Sequence, residues 1–189
     1  MKKIIFVLFV FAGLALKAQD KASLEKNANL AYEYTVKANY AALMDLTYPK
    51  LFEFFSKEKM IEMMPRIMNG DGFAITILDA APNFAFGDIK KVNGGSYVVI
   101  KHDTRMKMAF TEPMGDAELE EMMPLFKQSM GTENITFDRP QNAFYINKRT
   151  QMIGAADTLT NNEWRFLNND NPELLKKLLS ADILKALGL

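Results

Sequence analysis

Between Ser23 and Leu46 the small or apolar residues Leu24, Ala28, Ala31, Thr35, Ala38 and Ala42 return every three or four positions, with no intervening proline or glycine. That period predicts one long helix whose inward stripe is narrow enough to lie close against a sheet. Thr47-Tyr48-Pro49 should break it and restart helix as far as Phe55, because proline disfavours helical geometry in the residue before it but suits a first helical turn. Ser56 is an N-cap for a further helix with an apolar stripe of Met60, Ile61, Met64, Ile67 and Met68, and Pro65 inside it predicts a bend. The period then changes. Phe73 to Leu78 is β-rich, and Ile89 to Val92 and Ser96 to Lys101 flank Asn93-Gly94-Gly95 as a hairpin. Thr104 to Phe110 alternates, with Met106, Met108 and Phe110 on one face and Arg105 and Lys107 on the other, as in a sheet with one wet side.

A second kinked helix, capped by Asp116, is expected next, with Leu119, Met122, Met123, Phe126 and Met130 on one side. Strands at Ile135 to Phe137, Ala143 to Lys148, Gln151 to Ala155 and Trp164 to Leu167 follow, and Asn171-Pro172-Glu173 opens a C-terminal helix in cap, proline and acid order. Trp164 and Phe166 are expected to anchor the last strand against that helix. Glu62-Met63-Met64-Pro65 returns as Glu121-Met122-Met123-Pro124, each copy leading through a polar turn into an Ile-Thr strand, about 60 residues apart. Duplication and coincidence in a chain with 13 methionines both remain open. The expected fold class is α+β: long N-terminal helices packed on a curved antiparallel sheet, or two helix-plus-meander halves.

Composition changes the picture at the N-terminus. Lys2-Lys3, an apolar run from Ile4 to Leu16 and a small residue at Ala18 read as a secretory signal over residues 1–18, leaving 19–189 as a single α+β domain. The expected location is therefore periplasmic or secreted, with no transmembrane segment after cleavage. Removing Lys2, Lys3 and Lys17 from 23 basic residues leaves 20 against 23 acidic ones, which indicates neither a nucleic-acid-binding face nor an acidic tail. With no cysteine, a domain in an oxidising compartment must depend on its core alone.

The chemistry-bearing residues are sparse. His102 is the only histidine, which excludes a histidine-rich metal site and any two-histidine mechanism. No metal or other cofactor is expected, because the phosphate-loop, dinucleotide and calcium-loop patterns are all missing. Asp45 lies close in sequence to Tyr40 and Tyr48; in a cavity, a carboxylate beside phenols could move protons, with Asp45 as base and Tyr48 or His102 as hydrogen-bond donor. The bland alternative is an exposed Asp45 and tyrosines packed with their hydroxyls at the rim. Met106, Met108 and Phe110 are the better candidates for an apolar ligand pocket, against the plain reading of a methionine-rich core.

The long N-terminal helix, the Tyr48-Pro49 restart, the antiparallel strands and Trp164-Arg165-Phe166-Leu167 resemble small exported bacterial proteins of uncharacterised function. They also look like the broad nuclear-transport-factor-two-like or cystatin-like class, in which helices pack on a strongly curved sheet. That resemblance covers Ser23 to Leu167; the helix from Asp116 departs from it. It implies either a non-enzymatic binding module for a small apolar ligand or protein partner, or a cofactor-free acid/base isomerase or dehydratase; an envelope protein-interaction domain is the third expectation.

Overall fold

The structure is a computed structural model that describes residues 21–189, so the expected signal at 1–18 lies outside the described residues. Residues 21–36 form helix α1. The single long helix expected as far as Leu46 is in fact two. Ala38 takes a left-handed conformation with φ of 51°, and the Asn39 side chain accepts a hydrogen bond from the Ala42 amide to cap α2, Tyr40–Asp45. An N-cap asparagine supplies the start signal for a new helix that the alanine period conceals. Pro49–Glu53 is a 3-10 turn with proline in first position, and α3, Lys57–Met68, starts at Ser56 as expected. Ile67, assigned to the inward stripe of α3, is 53% exposed.

An eight-stranded antiparallel sheet follows: β1 (Asn69–Gly70), β2 (Phe73–Ile77), β3 (Ala85–Phe86), β4 (Lys90–Val92), β5 (Gly95–Phe110), β6 (Ile135–Asp138), β7 (Ala143–Ala156) and β8 (Arg165–Asn168). Its spine is the β5–β7 pair, in register from Ser96 opposite Ala156 to Ala109 opposite Ala143. Two pairs of strands expected to be separate are therefore two unbroken ones. β1–β2 lies outside β5 and β6 lies outside β7, while β3 and β4 also pair β5 and β8 pairs β7. The two helix-and-strand units that carry the repeated tetrapeptide thus feed outer strands on opposite sides of one shared sheet.

Alternation divides this sheet into two faces. One carries Val98, Ile100 and Met152, on which Leu24, Ala28 and Ala31 of α1 pack with Trp164 and Phe166. Trp164 and Phe166 therefore anchor the last strand to α1, and not to the C-terminal helix as expected. Leu167, facing the other way, meets the C-terminal helices α5 (Pro172–Leu178) and α6 (Ala181–Leu187) together with Tyr48, Tyr97 and Ile153. Farther along the first face, α4 (Asp116–Met130) brings Leu119, Met123 and Phe126 onto Phe144, whose ring stacks on Phe126 at 4.6 Å. Helices are thus distributed along the chain and over both faces. The stretch opposite α4 is left to water.

Gly154 lies on the face that α1 covers. A Cβ there would lie 3.0 Å from Val98 Cγ1 and 3.3 Å from Leu24 Cδ1, tighter than ordinary contact, so glycine leaves room for these side chains.

Candidate functional site

The acid/base candidates Asp45, Tyr48 and His102 are not brought together. Asp45 is 70% exposed at its side chain and pairs with Lys57. Tyr48 is buried and donates a hydrogen bond of 2.7 Å to Asp157, which also accepts one of 3.0 Å from Tyr97. The other oxygen of Asp157 accepts from the amides of Leu159 and Thr160, in a capping box that starts a 3-10 turn at Thr158–Thr160. This carboxylate has four donors and so is fully engaged in holding Pro49–Glu53 and the C-terminal core to β5 and β7. Burial first, and the bonded Asp157 next, push both phenols up, Tyr97 to about 12. Such phenols stay protonated at neutral pH and serve as fixed donors.

Met106, Met108 and Phe110 do share one sheet face. Met108 is buried, and Met106 and Phe110 pack into the cluster around Ile135, Phe144 and Ile146 beneath α4. Side chains of the protein itself cover this face.

His102 lies on the same face, between the α1 and α4 clusters. Its ring is 6.2 Å from Tyr32 and 5.7 Å from Phe84, and the Thr150 hydroxyl is within hydrogen-bond distance of its nitrogens. Burial, and secondly the charge of Arg149, hold its pKa below the usual histidine value. A neutral imidazole is the result.

Beside this aromatic group lies a half-open groove of about 510 Å³ between α1 and the loop after β2, lined by Asn29, Tyr32, Val36, Asp79, Ala81 and Pro82 among others. The Tyr32 hydroxyl is buried and has no hydrogen-bond partner among the described residues. Its ring meets Phe84 edge-on at 6.2 Å, and its phenol pKa is raised, by burial first and then by the charge of Asp79. Within the groove Glu33 is paired with Lys37 at 2.6 Å, while Asp79 has no ion-pair partner among the described residues.

The loop wall is held by a latch on the opposite face of β5 and β7. Asn83, in a left-handed conformation with φ of 46°, donates its side-chain amide to Asp103, and its carbonyl accepts from Arg149. Arg149 in turn pairs with Asp103 at 2.7 Å, and the Asp103 amide donates to the carbonyl of Pro82. The bonds from Arg149 and Asn83 hold the Asp103 carboxyl below its usual range.

Sequence reasoning passed over Tyr32 and the loop after β2. Tyr32 was visible only as aromatic weight on α1, and its meeting with His102 depends on how α1 packs on the sheet. Asn83 within an Asp-Ala-Ala-Pro-Asn run was the one available turn signal. Among the described residues no cluster of acidic and histidine side chains could hold a metal ion, and no helix is long and apolar enough to cross a membrane. The chain matches no protein-family model and no curated protein.

Proposed function

We propose that this chain is an exported, non-enzymatic binding protein that takes a small, largely apolar molecule in the groove between α1 and the loop after β2. The observation that carries the reading is the unpartnered, buried hydroxyl of Tyr32 at a groove of about 510 Å³. A buried polar group without a partner costs about 1–3 kcal/mol. A ligand that offers the hydroxyl a partner, with a small shift of the ring, recovers that cost. The volume is within the ordinary range of small-molecule sites, about 300–1,000 Å³. Ala80, Ala81, Pro82 and Val36 supply apolar walls, and Asp79 gives a polar end.

The acid/base reading has less support, since Asp45, Tyr48 and His102 are each engaged by a different group. A second reading, docking of a protein partner, is favoured by one observation. Met63 and Ile67, one turn apart on α3, are each 53% exposed, and Phe54 and Phe55 before that helix are about half exposed. Export rests on the charged, apolar and small-residue order of residues 1–18; an intact mass for the mature protein starting at Gln19 is the expected result.

The test is a small-molecule library screened by protein-observed NMR. Saturable shifts at Tyr32, Val36, Asp79 and Ala80 are expected from apolar compounds that carry one hydrogen-bonding group. Saturable shifts confined to Met63 and Ile67, or none anywhere, would overturn the groove as the site.

A further inference from the structure

On the face of the sheet opposite α4, β5 presents Lys101, Asp103, Arg105 and Lys107, and β7 presents Tyr145, Asn147, Arg149 and Gln151, paired across the strands in that order from the far end. Four cations therefore share one uncovered face with a single carboxylate on these two strands. Part of this face is concave. A depression of about 420 Å³ is lined by Asp103, Thr104, Arg105, Asn134, Asn147, Lys148 and Arg149.

The commitments of these side chains differ. Asp103 and Arg149 are bonded to each other and to Asn83, so the negative charge is already answered. Arg105 makes no side-chain hydrogen bond or ion pair among the described residues, and the same holds for the amides of Asn134 and Asn147. Asn134 and Asn147 are neighbours, since the Asn147 amide donates to the Asn134 carbonyl. The cross-strand register places Asn147 directly opposite Arg105. A planar guanidinium with free donors, flanked by two side-chain amides in a hollow of net positive charge, is the chemistry that recognises an oxyanion.

We propose that this hollow binds a small oxyanion, with Arg105 as the bidentate partner and Asn134 and Asn147 as flanking donors. The ligand class is a phosphate, sulfate or carboxylate group, free or carried on a larger molecule. The site is separate from the Tyr32 groove, and neither requires the other. Arg149 belongs to the loop latch and is left intact in the test.

The experiment titrates the labelled protein with sodium phosphate, with sodium sulfate and with sodium acetate, each against sodium chloride at matched ionic strength. Saturable amide shifts centred on Arg105, Asn134 and Asn147 are expected for at least one oxyanion and not for chloride. Arg105→Gln should weaken that binding roughly tenfold or more, as loss of a charge-assisted bond does, whereas Lys101→Gln, outside the hollow, should change it less than twofold. Arg105 is exposed, so the variant is expected to keep its fold, which its own spectrum reports. The proposal is overturned by shifts equal in chloride and oxyanions, or by equal weakening in both variants. Preference for phosphate and sulfate over acetate, or the reverse, decides between tetrahedral and carboxylate ligands.

Discussion

Replacing Tyr32 with phenylalanine should stabilise the empty protein. The ring keeps its edge contacts with Phe84 and His102, each at 6.2 Å, because the substitution removes the hydroxyl alone. What is lost is a buried oxygen with no partner among the described residues. Desolvating such a group without a compensating bond costs about 1–3 kcal/mol in proteins. Tyr32 is only half-buried and a slight ring movement can rehydrate the oxygen, so the gain belongs at the lower end, about 1 kcal/mol. With a urea slope of about 1–3 kcal/mol per molar, the midpoint should rise by about 0.3–1 M. Unfolding can be followed through Trp164, the only tryptophan, which is 1% exposed in the folded protein. Tyr32→Phe should at the same time weaken any groove ligand that bonds the hydroxyl. A variant destabilised by about 1 kcal/mol would mean that the hydroxyl is satisfied in the folded protein and would refute the reasoning.

Three further outcomes follow from the same structure. Asp157→Ala should cost about 3 kcal/mol or more in urea unfolding, because it strips the acceptor from two buried phenols and removes a capping box; a loss under about 1 kcal/mol would show the cluster to be dispensable. His102, the lone histidine, should titrate below its ordinary value by NMR, and Arg149→Gln should raise that pKa by removing the opposing charge. Because the unfolded chain then takes up its proton first, stability should fall as pH drops from about 6.5 through the folded-state value, a slope absent in His102→Gln. Gly154→Ala should destabilise by about 1–3 kcal/mol, since the added methyl crowds Val98 and Leu24 and these side chains must shift; unchanged stability would mean that they give way without cost.

Local signals made much of the fold legible. Ser56, the Tyr48-Pro49 restart and Asn171-Pro172 start helical segments where their capping chemistry says they should. Asn93 and Gly94, with φ of 50° and 81°, turn β4 into β5 as the sequence indicates. What eluded the sequence was continuity and partnership. The 16 residues of β5 read as two strands because Lys101 to Asp103 break the apolar alternation, yet they remain paired with Arg149 to Gln151. The break reflects a change in what covers the sheet, from the C-terminal helices to water, and not a change in backbone. The site was less legible still. Asp45 turns to Lys57, Tyr48 to Asp157 and His102 to Thr150, and the group that meets His102 is Tyr32 of α1, whose helical position carries no chemical motif.

The claim that the groove at Tyr32 holds a ligand is tested most directly by native mass spectrometry of the protein purified gently from the cells that make it, as wild type and as Tyr32→Phe. A stoichiometric small molecule that is released on denaturation, and is lost or much depleted in the variant, is the predicted result. A wild-type protein that carries nothing, or a bound molecule retained equally by both forms, would contradict it.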